Sequence, residues 1–74
     1  MTVYIAREED YILGVYDTKE KAENEIIKQV KEDSTLRAVF QNEVAIGYFE
    51  GTIEDWIHAG NVDDYYTIDD REGE

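Results

Sequence analysis

Apolar and polar residues alternate along the first part of the chain with the period of two that is typical of β-strands. In TVYIARE, residues 2–8, successive apolar side chains point to opposite faces. After the polar run EED, the segment YILGVY, residues 11–16, has the same alternation. These two segments therefore predict an N-terminal β-hairpin.

A helical period replaces this alternation in the next segment. Its apolar residues recur at three- and four-residue spacing, at Ala22, Ile26, Ile27 and Val30. Lysine and glutamate fill most of the other positions, and Asp17 or Thr18 is suited to cap the first turn. We therefore predict a helix from Lys19 to about Lys31 that packs one face on a sheet.

The period of two returns in the second half of the chain. Alternation over residues 36–41 predicts a third strand, and Asn42 with Glu43 predicts a tight turn. The segment VAIGYFE, residues 44–50, is apolar on both faces and predicts a return strand that is covered on both sides.

The segment TIEDWIHAG predicts a short second helix. Thr52 is placed to cap it, Asp55 stands at the third helical position of a capping box, and Gly60 is a natural stop. Alternation over residues 62–68 then predicts a final strand with an acidic outer face. Residues from about 70 to 74 are expected to fray as an acidic tail.

The order ββαββαβ predicts one α+β domain over residues 1–74. We expect an antiparallel sheet of four or five strands, one long helix packed on a face, and a short helix near residues 53–59. Hydrophobic residues make up 42% and aromatic residues 12% of the chain, which is too rich for a disordered polar segment. The chain contains no proline, so nothing indicates a linker between domains.

Charge is the most unusual property of the composition. There are 19 acidic and 7 basic side chains, which give a formal net charge of -12. The acids are concentrated in the second half, because residues 38–74 contain ten acids and only one base, Arg71. Such a surface repels polyanions, so direct binding to nucleic acid is not expected.

The composition also constrains the location of the chain. It has no cysteine, so neither disulfides nor thiolate metal sites are expected, and an intracellular location is favoured. The N-terminus lacks a basic leader followed by an apolar run, and no stretch approaches the length of a membrane span. We expect a cytoplasmic protein of a bacterial host cell.

Candidate catalytic groups are few. His58 is the one histidine, and its place near the end of the short helix is typical of a capping residue rather than of a general acid or base. Asp63, Asp64, Asp69 and Asp70 lack the spacing of a calcium loop, and neighbours on a strand point to opposite faces. We predict no enzyme activity, no cofactor and no dedicated metal site.

A resemblance covers about the first third of the chain. The pattern VYIA followed by ILGVYDTKEKAE resembles a family of small uncharacterised bacterial and phage proteins, on the residues Val3, Tyr4, Gly14, Val15, Tyr16, Thr18, Glu20 and Ala22. The resemblance implies a hairpin packed by a helix and a phage or mobile-element setting. It implies no activity, because the function of that family is unknown.

The acidic second half predicts a partner-binding surface. Its candidate residues are Glu43, Glu50, Glu54, Asp55, Asp63, Asp64, Tyr65, Asp69 and Asp70. Carboxylates arrayed on neighbouring elements can imitate the charge of duplex DNA, which is one negative charge per roughly 1.7 Å of axis. The leading hypothesis is a phage or mobile-element inhibitor that mimics nucleic acid and occupies a basic nucleic-acid-binding host protein.

Two alternatives remain open. Arg7, Arg37 or Arg71 with stacked tyrosines could hold a phosphate and a base, which predicts a nucleotide-sequestering or other small-molecule-binding protein. The chain could also be an acidic adaptor whose charge serves only solubility. The sequence leaves the oligomeric state open.

Overall fold

The computed structural model describes residues 1–72 and has six helices and strands in the order ββαααβ. They are β1 (Thr2–Glu8), β2 (Tyr11–Tyr16), α1 (Lys19–Glu32), α2 (Ser34–Ala45), α3 (Ile53–His58) and β3 (Tyr66–Glu72). The α+β class predicted from the sequence is confirmed. None of the helices in this part of the chain has the length and apolar composition needed to cross a membrane.

The sheet is antiparallel, with the strand order β2-β1-β3. The central strand β1 pairs with the neighbouring β2 and with the distant β3, so that Thr2 lies opposite Glu72. A hydrogen bond of 2.9 Å from Thr2 Oγ1 to Glu72 Oε1 supports this register. Between Ala6 and Arg7 the pairing with β2 shifts, which is the mark of a β-bulge.

The predicted N-terminal hairpin and first helix are confirmed. Thr18 caps α1, and its side chain accepts a hydrogen bond of 3.2 Å from the backbone N–H of Lys21. Asp17 is not the cap but forms an ion pair of 2.8 Å with Lys21. The hydrogen bond and the charge of Lys21 lower the pKa of the Asp17 carboxyl.

The strand predicted over residues 36–41 is wrong, because these residues lie in α2. Asp33 both ends α1 and caps α2, where its Oδ1 accepts hydrogen bonds of 2.9 and 3.1 Å from the N–H groups of Thr35 and Leu36. Leu36 and Phe40 are four residues apart and both pack toward the core. Their spacing fits a helix as well as a strand, and the cap at Asp33 favours the helix.

The strand predicted over residues 44–50 and the tight turn before it are also wrong. Helix α2 continues through Ala45, and Gly47, with φ +76°, follows its end. Val44, Ile46 and Tyr48 are exposed rather than covered. The sheet therefore has three strands instead of four or five.

The final strand is displaced along the sequence. It was predicted over residues 62–68, but β3 begins at Tyr66 and continues to Glu72. Residues 61–65 form the turn between α3 and β3 instead. The frayed tail predicted from residue 70 is wrong for residues 70–72, and residues 73 and 74 lie outside the described part of the chain.

The core lies between the helices and one face of the sheet. Its buried residues are Ala6, Ala22, Ile26, Val30, Leu36, Trp56, Ile57, Val62 and Tyr66. Trp56 is 1% exposed, and its ring packs edge-on against Phe40 with centroids 5.5 Å apart. The other face of the sheet is open, since the side chains of Ile12 and Val15 are exposed.

Thr52→Ala is expected to destabilise the protein by about 1 kcal/mol, because helix α3 depends on its capping box. Thr52 Oγ1 accepts a hydrogen bond of 3.2 Å from Asp55 N, and Asp55 Oδ2 accepts one of 3.1 Å from Thr52 N. Urea denaturation would measure the loss. Ser34→Ala is the control, because Ser34 is exposed and its side chain forms no hydrogen bond within residues 1–72. An equal decrease in the free energy of unfolding in both variants would contradict the role of the Thr52 cap.

Candidate acidic binding cleft

A cleft of about 410 Å³ lies where the β1–β2 turn, helices α2 and α3 and the turn before β3 meet. Five carboxylates line it, from Glu8, Glu9, Asp33, Glu43 and Asp64. Neither lysine nor arginine is among its lining residues in the described part of the chain. We call this cavity the acidic cleft.

The β1–β2 turn supplies one wall of the acidic cleft. Glu8 is the last residue of β1, and Glu9 follows it with φ +53°, a left-handed conformation that non-glycine residues adopt mainly in tight turns. The N–H of Glu9 donates a hydrogen bond of 2.7 Å to the carbonyl of Tyr65. This bond fixes the hairpin turn against the turn before β3.

The carboxylates of the opposite wall also stabilise the fold. Asp33 caps α2, and Glu43 Oε1 accepts a hydrogen bond of 3.2 Å from the indole N–H of Trp56. A carboxylate has about four acceptor sites, so these bonds leave acceptor capacity at both residues. The negative charges are thus held in place by helix termini and by a buried tryptophan.

The turn before β3 closes the acidic cleft. Asn61 Nδ2 donates a hydrogen bond of 2.9 Å to the carbonyl of Trp56, and Tyr65 N donates one of 2.9 Å to the carbonyl of Val62. The side chain of Tyr65 is 47% exposed, whereas that of Tyr66 is 4% exposed. An aromatic ring is therefore available to a partner beside the carboxylate of Asp64.

The pKa of Tyr66 reports on the electrostatics of this region. Burial raises it from 10.0 to about 12, and the nearby charges of Glu8 and Asp33, with a hydrogen bond to Glu8, add to the shift. A negative environment opposes formation of the phenolate. The same environment stabilises a cation that enters the cleft.

Stability is expected to fall at alkaline pH because of Tyr66. The folded state favours the neutral phenol of Tyr66. Its contribution to the free energy of unfolding is therefore fully present below pH 10.0 and is lost as pH rises toward 12. At about 1.4 kcal/mol per pKa unit, the free energy of unfolding should decrease by roughly 2 to 3 kcal/mol across this window. Urea denaturation at increasing pH measures it.

Tyr66→Phe is the control for this titration and should show a smaller alkaline decrease. Tyr16, whose pKa is also raised by burial and by Glu25, contributes equally in both proteins. The interpretation would be contradicted if both proteins lost the same stability between neutral pH and pH 12.

Three of the residues predicted to bind a partner lie in the acidic cleft, namely Glu43, Asp64 and Tyr65. Asp63 and Asp64 were predicted on a strand, but both belong to the turn before β3. Asp63 is exposed and lines a different groove, which lies between α1 and β3. Glu50, after α2, and Asp70, on β3, are exposed outside the cleft.

The remaining predicted residues have partners within the fold. Glu54 forms an ion pair with Lys31, and the hydrogen bond from Lys31 is the main cause of the lowered pKa of Glu54. Asp55 belongs to the capping box of α3. Asp69 Oδ2 lies 2.8 Å from Arg7 Nε; this nitrogen is buried, and the contact is an ion pair without hydrogen-bond alignment.

Sequence reasoning missed Glu8, Glu9 and Asp33 as members of the site. All three are in the first half of the chain, where lysines balance much of the acidic charge. Two signals were available. The polar run EED marks a hairpin turn, and Asp33 before STL has the form of a helix cap.

His58 and the three arginines lie outside the lining of the acidic cleft. Within residues 1–72, no three histidine, cysteine, aspartate or glutamate side chains are close enough together to hold a metal ion. His58 ends α3 and is exposed at the rim of the groove between α1 and β3. Arg7, Arg37 and Arg71, which were predicted to hold a nucleotide, do not line any of the four cavities described in this part of the chain.

Comparison with protein-family models, with curated proteins and with solved structures gives no match for this chain.

Proposed function

We propose that the protein is a small acidic binding protein without catalytic activity, and that the acidic cleft binds a basic surface of a partner protein. The observation that carries the proposal is the convergence of carboxylates from β1, α2 and two turns on one cavity with no cationic side chain in its lining. Uncompensated carboxylates that are held by the fold attract lysine and arginine side chains without first having to be ordered.

The partner that best fits this surface is a nucleic-acid-binding protein of the host. Its binding groove is built to take phosphates, and the acidic cleft offers carboxylate oxygens that arginine can bind in the same bidentate way. The exposed ring of Tyr65 beside Asp64 adds an apolar contact, and Trp56 holds the α3 side of the cleft in position. Mimicry of nucleic acid follows if the bound protein can no longer bind DNA or RNA.

The biological role that we propose is inhibition of a host defence or DNA-processing protein by a phage or mobile-element product. The proposal of a phage or mobile-element origin rests on the resemblance of residues 3–22 to small phage and bacterial proteins. The mechanism rests on the net charge of -12 and on the acidic cleft. Association should be fast at low ionic strength and should weaken steeply with salt, because long-range attraction between opposite charges is screened.

The experiment is a pull-down of the tagged full chain from a nuclease-treated bacterial lysate at low and at high salt. A protein captured at low salt and released at high salt is purified and tested for binding to duplex DNA with and without the chain. Loss of DNA binding in proportion to the chain added supports mimicry. Simultaneous binding of both ligands would contradict mimicry and would leave an acidic adaptor.

A further inference from the structure

The outer face of the sheet carries aliphatic side chains at positions where an antiparallel sheet with one solvated face is usually polar. Ala6 of β1 is fully buried, so the alternation of the strand turns Val3 and Ile5 to the outer side. The register with β2 places Val15 directly opposite Ile5 and also turns Ile12 outward. Four β-branched residues thus share the outer face of the hairpin, and we call them the hairpin patch.

The helices of residues 1–72 leave the hairpin patch uncovered. Its members belong neither to the core nor to the residues packed against the core, and Ile12 and Val15 are 51% and 58% exposed. The patch is also flat, because none of its four residues lines any of the cavities described in this part of the chain. A flat apolar sheet face fits another flat sheet face better than it fits a small molecule, which binds in a concave pocket.

The charges beside the hairpin patch are nearly balanced. Arg7 lies on the same face of β1, and the outward positions of β3 are Thr67, Asp69 and Arg71. Asp69 is paired with Arg7, and the two arginines and one aspartate give this face a formal charge of +1 on a chain whose net charge is -12. Two copies of the chain that meet at this face therefore bring no unpaired carboxylates together, unlike copies that meet at an acidic surface.

We infer that two copies of the chain associate by packing the hairpin patch of one against the hairpin patch of the other. A two-fold axis that runs parallel to the strands, between β1 and β2, places Ile5 of each copy over Val15 of the other. The two sheets are then aligned face to face, about 10 Å apart. The same axis moves the two β3 strands to opposite margins, about 14 Å from each other across the strands, so Asp69 and Arg71 stay solvated.

The size of the contact determines its strength. Two strands of six or seven residues cover roughly 10 by 23 Å, which is a small contact beside the standard interface of about 800 Å² per partner. We therefore expect a reversible dimer with a dissociation constant on the order of 100 μM. The dimer presents two acidic clefts, because no residue of the hairpin patch lines the acidic cleft.

This inference does not rest on the proposed function, and the response to salt separates the two. Binding of a basic partner to the acidic cleft weakens as salt is added. Self-association of chains with a net charge of -12 strengthens instead, because salt screens the long-range repulsion between the copies while the apolar contact is unaffected.

The test is sedimentation equilibrium of the full chain from about 20 μM to about 1 mM, a range that brackets the expected dissociation constant. The mean mass should rise from that of a monomer toward that of a dimer. The dissociation constant should decrease at least about threefold between roughly 0.05 and 0.5 M sodium chloride. A constant monomer mass at every concentration, or association that weakens with salt, would overturn the inference.

Methyl NMR of isoleucine and valine side chains locates the contact. The methyl signals of Ile5, Ile12 and Val15 should shift with protein concentration. Val44 and Ile46, at the end of α2, are the comparison, because they are also exposed and apolar but lie outside the hairpin patch. Shifts at Val44 and Ile46 without shifts in the hairpin patch would place the association at α2 and would overturn the inference.

Val15→Glu and Val44→Glu form a matched pair of variants, since each replaces an exposed valine and adds one negative charge. In about 0.5 M sodium chloride, Val15→Glu should weaken dimerisation about tenfold or more, because it places two carboxylates inside an apolar contact. Val44→Glu should change it less than about twofold, because its charge is solvated and screened. Equal effects of the two changes would overturn the hairpin patch as the interface.

Val15→Thr is a milder variant that keeps the β-branched shape and the net charge. It should weaken dimerisation about threefold or more, because each copy then brings a hydroxyl into the apolar contact. Circular dichroism verifies that each variant is folded. If Val15→Glu does not fold, Val15→Thr decides, and an unchanged dissociation constant for this variant would overturn the inference.

Discussion

Replacing Trp56 by alanine is expected to leave most of the protein unfolded at room temperature. Trp56 is the largest fully buried side chain, and it packs on Phe40 and donates a hydrogen bond to Glu43. Truncation of a buried tryptophan to alanine costs roughly 3 to 5 kcal/mol. A domain of this size rarely has more than about 3 to 5 kcal/mol of total stability from a single core, so the loss consumes most of it.

Far-UV circular dichroism and urea denaturation would measure this effect, and two milder variants locate its origin. Trp56→Phe keeps an aromatic ring but leaves Glu43 without its indole donor, whereas Glu43→Gln keeps an acceptor for that donor. Both should remain folded, with losses of about 1 to 2 kcal/mol. A cooperative Trp56→Ala transition close to that of the wild type would contradict the central place of this residue in the core.

Reversing two charges in the acidic cleft, Glu9→Lys together with Asp64→Lys, is expected to weaken binding of the captured host protein by about 100-fold. Each change alters the local charge by two units and places an ammonium where the partner's basic residue would lie. Because fewer ion pairs then form, the dependence of affinity on salt should also become shallower. Titration calorimetry at several salt concentrations measures both quantities.

Glu20→Lys together with Glu50→Lys is the matched control for this experiment. Both residues are exposed, neither lines the acidic cleft, and the pair changes the net charge by the same amount. An equal loss of affinity in the control would mean that only total charge matters, which would contradict a localised site. The Tyr66 pKa gives a readout without a partner, since it should fall in the cleft variant and not in the control.

The first half of the fold could be predicted because local signals agree there. The hairpin strands alternate with period two, and the helix from Lys19 has both a cap and a continuous apolar stripe. The capping box of Thr52 and Asp55, which begins α3, could also be identified from the sequence. In each case the residues that define the element are neighbours in sequence, so no distant contact is needed to decide the structure.

In the second half, the spacing of apolar residues alone does not distinguish a strand from a helix. Leu36, Ala38 and Phe40 alternate as in a strand, yet Leu36 and Phe40 also lie one helical turn apart. The segment after Asn42 is apolar on both faces and predicted a covered strand, but Val44, at the end of α2, and Ile46, which follows it, are exposed. Asp33, which suits a helix cap, and Gly47, which suits a helix stop, are the residues of this region that indicate a helix instead.

The candidate site was only partly predictable for a different reason. A count of charges along the sequence identifies acidic segments, but it cannot tell which carboxylates converge in space. Glu54 and Asp69 lie in acidic segments and are neutralised by Lys31 and Arg7, which are distant in sequence. Glu8 and Glu9 lie near bases in sequence and become part of the acidic cleft only because β1 pairs with β3.

The pairing of Thr2 with Glu72 also determines how the chain assembles. The two residues are 70 positions apart, so the central strand obtains its second neighbour only by closing a loop of nearly the whole described chain. Such closure is entropically costly, so we expect it to follow the faster formation of the hairpin and α1. The Glu9 to Tyr65 bond joins distant parts of the chain, so we expect the acidic cleft to form late and to be absent from a nascent chain that lacks residues 66–72.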